Sequence, residues 1–207
     1  MSYNTYVIYV VDYGAGNIMS VLNSLRHLSC EAKLSADPAD IADAAGVIVP
    51  GVGNFGAAAE ALMRRGLDSA IKDAAARGIP VMGICLGLQL FLEESEESPG
   101  ARGLGLIPGA VTKLKCGERK LPHIGWTSLD DASGMLSGMD GEYFYFVHSF
   151  GAHTAPEYSA AKACYGETFD AAIEKDNVFA TQFHPEKSGR AGLELLGRFI
   201  ARTGGAK

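Results

Sequence analysis

The stretch Ile79-Pro80-Val81-Met82-Gly83-Ile84-Cys85-Leu86-Gly87-Leu88-Gln89-Leu90-Phe91-Leu92 sets a cysteine on a turn between a strand and a helix. Ile79 to Met82 is an apolar run of strand length, and Leu88 to Leu92 continues in a helical pattern. Gly83 and Gly87 stand two residues to either side of Cys85. A chain that turns this sharply has no room for a Cβ at those places, and the strain thrusts the middle side chain out above the sheet edge. The arrangement is a nucleophile elbow with sulfur in the place of oxygen. The positive end of the following helix points at the sulfur and favours its thiolate. The plainer alternative is a buried structural cysteine between incidental glycines.

Outward from the elbow, the N-terminal half alternates strand and helix signals. Tyr6 to Val11 is a continuous β-rich run, and Ile18, Val21, Leu22, Leu25 and Leu28 then repeat at helical spacing. Ala32 to Leu34 reads as a weak second strand and Val47 to Val49 as a stronger third. Leu62, Leu67, Ile71 and Ala74 mark one or two helices ahead of a fourth strand at Ile79 to Met82. Unbroken apolar strands alternating with helices imply parallel pairing through right-handed crossovers. The expected fold class is α/β, a doubly wound, mostly parallel, flavodoxin-like sheet with helices on both faces. Ligands of such sheets bind beyond the carboxyl ends of the strands, where Gly51 and Cys85 both fall. From Gly105 onward, β-rich pieces at 110–114, 143–147, 159–165, 170–173 and 178–183 predict short, largely antiparallel strands. Leu193, Leu196, Phe199 and Ile200 share one face of a closing helix, followed by a tail from Thr203 to Lys207 that is expected to fray.

The 207 residues, 47% of them apolar, suit a single domain over 1–207 with a sizeable core. A net charge of −6 without a basic cluster argues against a nucleic-acid or anionic-membrane partner and for small ligands. The start Met1-Ser2-Tyr3-Asn4-Thr5 lacks a basic region, and the apolar run after it is too short to cross a bilayer, so a cytoplasmic protein is expected. Cys30, Cys85, Cys116 and Cys164 are widely separated and are read as reduced thiols. His27, His123, His148, His153 and His184 show no ligand spacing, so neither a metal site nor a cofactor is expected.

A thiolate nucleophile needs a proton carrier. His184-Pro185-Glu186 follows the apolar run Val178 to Phe183, and in extended chain residues i and i+2 project to the same side. Pro185 holds His184 extended, so Glu186 can fix the imidazole tautomer and leave the other ring nitrogen for sulfur. Pro50-Gly51-Val52-Gly53-Asn54-Phe55-Gly56 formally contains Gly-x-Gly-x-x-Gly, which raises a dinucleotide site as a rival. The match follows the third strand instead of the first, and Asp68 and Asp73 fall within helical periodicity. The Val52 and Leu86 N–H groups can instead surround an oxyanion. The acidic run Glu93 to Glu97 reads as a solvated helix end, although negative charge is unfavourable there, which hints at a role for one of its carboxylates.

Pro50-Gly51-Val52-Gly53, Gly83-Ile84-Cys85-Leu86-Gly87-Leu88-Gln89 and Gln182-Phe183-His184-Pro185-Glu186-Lys187-Ser188, in this order, resemble the class I (triad) glutamine amidotransferases over essentially the full chain. Asp12-Tyr13-Gly14-Ala15-Gly16-Asn17-Ile18, Leu121-Pro122-His123-Ile124-Gly125-Trp126 and Tyr145-Phe146-Val147-His148-Ser149 are similar to the glutaminase subunits of imidazole glycerol phosphate synthase. The resemblance implies Cys85 as nucleophile, His184 as general acid and base and Glu186 as its orienter. It implies Val52 and Leu86 as oxyanion donors, with Gln89, Glu97, Ser149 and Phe150 around the substrate glutamine. Many family members carry tyrosine where Phe150 stands. The implied partner is a cyclase subunit with a (β/α)8-barrel fold, which receives the ammonia in a heterodimer. Asn17, Trp126, Tyr145 and Lys187 are the candidates for the docking face, with core packing as the alternative for the aromatics. A stand-alone cysteine hydrolase, a noncatalytic binding module and a glutaminase feeding another synthase are the competing readings.

Overall fold

The computed structural model describes residues 6–14 and 17–204; what was expected of Met1 to Thr5, of Ala15 and Gly16, and of Gly205 to Lys207 lies outside the described residues. The N-terminal half runs β1 (Ile8–Val11), α1 (Ile18–His27), β2 (Ala32–Ser35), α2 (Pro38–Ala42), β3 (Gly46–Gly51), α3 (Phe55–Arg64), α4 (Leu67–Ala76), β4 (Val81–Cys85) and α5 (Leu86–Phe91). The apolar runs become parallel strands in the order β2-β1-β3-β4, with Val10 of β1 opposite Leu34 on one side and Ile48 on the other. Their side chains alternate between two faces. Ile8, Val10, Ile48, Met82 and Ile84 pack with Val21 and Leu25 of α1, while Val11, Val47, Val49 and Val81 pack with Leu62, Leu67, Ile71 and Leu88 of α3 to α5. Burying one such side chain contributes about 1.5 to 3 kcal/mol, so covering both faces makes this half the rigid platform of the molecule.

The second half adds β5 (Glu94–Ser95), β6 (Gly109–Lys113), β7 (His123–Ser128), β8 (Tyr143–His148), β9 (Phe150–Thr154), β10 (Ser159–Tyr165), β11 (Glu167–Lys175), β12 (Val178–Thr181) and α6 (Gly189–Arg202). β12 joins β4 in parallel, Thr181 opposite Ile84, and the sheet continues β12-β11-β9-β6-β5 with β10 on β11. Most pairings in this half are antiparallel, as expected; β5 with β6 and β12 with β4 are parallel. β7 and β8 form a separate antiparallel ribbon.

Three local expectations are corrected. The fourth strand starts at Val81, two residues later than expected and directly after Pro80, which has no N–H for the ladder, and it runs to Cys85. The acidic run is not a helix end, because α5 stops at Phe91. Its carboxylates instead hold backbone: Glu93 accepts from Gly109 N at 3.2 Å, Glu96 from Lys113 N at 2.8 Å and Glu97 from Phe55 N at 2.6 Å, while Glu94 pairs with Arg102 at 3.0 Å. On α6 the buried stripe is Leu195, Leu196, Phe199 and Ile200, with Leu193 only half-buried. In the oxyanion loop it is Gly53 that adopts a positive φ, at 109°. Gly51 is needed for space: a Cβ there would run into the Tyr13 hydroxyl and sit 2.8 Å from the Leu86 Cβ.

Candidate active site

At the end of β4 the chain reverses into α5 through Cys85, whose backbone is left-handed at φ 56°. A non-glycine residue there is strained and persists because its surroundings dictate it. The two glycines are required by contact. A Cβ on Gly83 would lie 2.8 Å from the carbonyl of Gly87, and one on Gly87 would collide with the Val49 carbonyl of the neighbouring strand. Leu86 is the first residue of α5, so its N–H has no acceptor within the helix. The helix is only six residues long, which confines its influence on the sulfur to the N–H groups of its first turn.

β12 runs beside β4 and delivers His184 to the same edge of the sheet. The His184 N–H donates to the Tyr145 carbonyl at 2.9 Å, and Ser188 Oγ donates to the His184 carbonyl at 2.6 Å, which fixes the backbone under the ring. Glu186 Oε1 lies 2.8 Å from His184 Nδ1, with both side chains almost wholly buried. Burial works against a charged ring, but Cys85 and Glu186 outweigh it and push His184 up to about 10. The imidazole therefore carries a proton at neutral pH. Its Nε2 makes no well-aligned hydrogen bond, yet Cys85 is the side chain beyond Glu186 that acts on it.

A cavity of about 290 Å³ opens over the sulfur. Val52, Cys85, Leu86, Gln89, Glu97, Ser149 and Phe150 all line it, so the structure brings together every residue that the sequence suggested for oxyanion and substrate contacts. The oxyanion segment is braced from both ends. Tyr13 donates to the Pro50 carbonyl at 2.8 Å, and the N-terminus of α3 is held by Asn54, Glu97 and Ser98, which accept from Ala57, Phe55 and Gly56 N–H. Burial, and then the neighbouring Cys85, push the Tyr13 phenol up, so it stays a donor. A larger depression of about 580 Å³ between α2 and α4 has Asp73 and Arg77 as its ionisable groups and holds no nucleophile beside a base. Asn17, Trp126, Tyr145 and Lys187 stand outside the cavity. Trp126 is 53% exposed, edge-on to Tyr145 at 6.1 Å, with Lys187 Nζ 5.7 Å above the Tyr145 ring; Asn17 is half-buried.

Sequence reasoning assigned no role to Tyr13, Pro122, Val147, His148 or Gln182. All five stand inside stretches quoted for the resemblance or directly beside the cavity. The buried pair His123 and His148 also went unread. Their ring nitrogens lie 3.1 Å apart, and His123 stacks on Tyr165 at 4.0 Å. Burial first, and then Arg119, lowers His123 to about 4; burial, with His123 and His184 adding to it against the Phe150 hydrogen bond, lowers His148 to about 3. Below pH 6.5 the unfolded chain takes up protons at these rings and the folded chain does not, so stability falls as pH drops from 6.5 toward 4. Below pH 6.5 His184 holds its proton in the folded and the unfolded chain alike, so it adds little slope in that window. The unfolding free energy in urea is expected to drop by about 1.5 kcal/mol per ring between pH 6.5 and pH 5. Equal unfolding midpoints at the two pH values would show that the rings charge without resistance.

Among the described residues, no cluster of three or more His, Cys, Asp or Glu is placed to hold a metal, and no helix is long and apolar enough to cross a membrane. The model of the glutamine amidotransferase class-I family matches residues 9–202. The chain is 45% identical to the imidazole glycerol phosphate synthase subunit HisH of Methanothermobacter thermautotrophicus over 196 residues, covering 94% of this chain and 98% of that one. It is 44% identical to the subunit of the same name from Listeria monocytogenes, covering 93% and 94%. Among solved structures, a glutamine amidotransferase superposes with a TM-score of 0.76 at 18% identity, covering 95% and 98%, and PurLQS from Thermotoga maritima with 0.75 at 21%, again covering 95% and 98%. These two show the shared fold. Elbow, sheet order, family match and full-length relatives agree: the chain belongs to the class-I glutamine amidotransferases, among the relatives of the HisH subunits of imidazole glycerol phosphate synthase.

Proposed function

We propose that this chain, acting as one cytoplasmic domain, is the glutaminase subunit of an imidazole glycerol phosphate synthase. It hydrolyses glutamine to glutamate and ammonia. The ammonia passes to a (β/α)8-barrel cyclase, which makes imidazole glycerol phosphate and an aminoimidazole carboxamide ribonucleotide in histidine biosynthesis. One observation carries the reading: the elbow cysteine opens into a cavity lined by four residues suited to an amino acid, and a buried His-Glu pair acts on its sulfur from behind. A binding module would need no such pair behind the thiol.

The chemistry follows from the parts. The Cys85 sulfur attacks the side-chain amide carbon of glutamine, and the carbonyl electrons move onto oxygen, where the Val52 and Leu86 N–H groups receive them. His184, protonated at rest, gives its proton to the departing nitrogen as the C–N bond breaks, and ammonia leaves. The neutral imidazole then takes a proton from water as the water attacks the thioester, releasing glutamate and restoring Cys85. Glu186 holds the ring and offsets its charge. Gln89, Glu97, Ser149 and Phe150 hold the substrate; a contact made by the Phe150 backbone would not need the hydroxyl of the common tyrosine.

Free ammonia in water at neutral pH is protonated and lost as a nucleophile, so it has to be handed over privately. The cyclase is assigned to the outer face of the β7–β8 ribbon, where Ile124, Trp126 and Tyr143 are each more than half exposed, together with Asn17, Tyr145 and Lys187. Glutamine hydrolysis by the chain alone, with the cyclase, and with cyclase plus its nucleotide is the test. Slow hydrolysis alone and about 10² to 10³-fold activation in the complex are expected if docking completes one oxyanion donor at the Gly51-Val52 peptide. Full activity of the isolated chain would refute that gating, and no activity in any of the three mixtures would refute the glutaminase.

A further inference from the structure

Six hydrogen bonds run without a break from the β7–β8 ribbon to the nucleophilic sulfur. Thr127 Oγ1 lies 2.9 Å from His123 Nε2, His123 Nδ1 lies 3.1 Å from His148 Nε2, and His148 Nδ1 lies 2.8 Å from the Phe150 carbonyl. That same carbonyl accepts from Gln89 Nε2 at 3.2 Å; Gln89 Nε2 also donates to Gln182 Oε1 at 3.1 Å, and Gln182 Nε2 to Cys85 Sγ at 3.7 Å. Gln182 is fully buried, and His123 and His148 nearly so.

One atom fixes the direction of every link. The Phe150 carbonyl can only accept, so His148 must present Nδ1–H to it and Gln89 must present its NH₂. With neutral rings, His148 Nε2 then accepts from His123 Nδ1–H, and His123 Nε2 accepts from the Thr127 hydroxyl. On the other side, Gln182 must turn its oxygen to Gln89, which leaves its N–H toward sulfur. The reverse amide would set two donors against each other inside the core and an oxygen against the sulfur. The low proton affinity of both rings accords with this arrangement.

We propose that Gln182, His148 and His123 are positioning residues: they form a polar strut that orients and stabilises the Cys85 sulfur independently of His184 and links it to the ribbon carrying Trp126. The proposal rests on Cys85 being the nucleophile. Gln182 supplies a fixed N–H to the sulfur, and the histidine pair holds the carbonyl that holds Gln89 and Gln182 in turn. Tyr145, on the same ribbon, accepts from the His184 N–H, so both reacting side chains are referenced to one element.

Two substitutions at His123 separate the strut from simple packing. His123→Asn keeps a donor near the position of ring Nδ1 but loses the stack on Tyr165, whereas His123→Phe keeps the stack and loses the donor. The readout is the rate of Cys85 alkylation by iodoacetamide in the isolated, folded chain, followed by peptide mass spectrometry. We expect His123→Asn to stay within about threefold of wild type and His123→Phe to fall about tenfold. Gln182→Met should fall about tenfold as well, and His123→Phe added to it should slow the reaction no further. The reverse order of Asn and Phe, or losses that multiply in the double variant, would overturn the strut. If His123→Phe does not fold, Gln182→Glu decides: it keeps the acceptor for Gln89 but turns an oxygen to the sulfur, and a folded variant alkylating at the wild-type rate would overturn the proposal. Wild-type Cys85 reacting no faster than the exposed Cys164 would remove the nucleophile itself, and the strut with it.

Discussion

Cys85→Ala is expected to abolish glutamine-dependent synthesis by the assembled enzyme while leaving synthesis from added ammonium intact. The loss on glutamine is about 10⁴ or more, because the reaction proceeds through a bond to sulfur that no neighbour can make. His184 and Glu186 are a proton carrier and its anchor, and neither side chain reaches the substrate carbon as a nucleophile. The substitution is small and the strained elbow backbone relaxes at little cost, so the cyclase still has a docking partner. Comparing initial rates with glutamine and with ammonium in one preparation makes the test self-controlled. Residual glutamine-dependent turnover above a few per cent of wild type would contradict the nucleophile role, and a parallel loss with ammonium would show that the substitution had damaged the assembly.

His184→Ala should lower glutamine hydrolysis by up to about 10⁴, and Glu186→Gln by less, about 10². Removing the imidazole takes away both the proton that leaves with ammonia and the base that activates water. Glu186→Gln keeps the shape and an oxygen that can accept from Nδ1 but removes the charge opposite the imidazolium, 2.8 Å away in the wild type. Part of what holds His184 near 10 is that charge, so the variant should also show the alkaline limb in the pH profile of turnover shifted to lower pH. Equal rates for Glu186→Gln and wild type at saturating glutamine would make the carboxylate structural only.

The parallel half of the fold was legible because its strands are buried on both faces and its helices on one, so apolar runs and helical spacing marked them directly. The elbow was legible for a different reason. Gly83 and Gly87 are dictated by backbone contacts that leave no Cβ room, and such positions stand out even in a glycine-rich chain. What escaped was short or held by side chains. α2 has five residues and rests on the Asp37 cap, too little for periodicity to register. β7 is interrupted by Gly125 at φ 150° and pairs only with β8, so no alternating pattern advertised it. The acidic run was misread because each carboxylate answers a backbone N–H or an arginine that lies eight or more residues away in sequence. The same limit hid Gln182: a glutamine after a strand has no signature until the fold brings Cys85 and Gln89 to its two ends.

A glutamine-mimicking electrophile, incubated with the complex and followed by peptide mass spectrometry, tests most directly whether Cys85 is the nucleophile on glutamine. Four cysteines, all free thiols, compete for the label. A single adduct on Cys85, suppressed by excess glutamine and lost in His184→Ala, is the expected result. Labelling of Cys30, Cys116 or Cys164 instead, or an adduct on Cys85 that glutamine does not suppress, would contradict it.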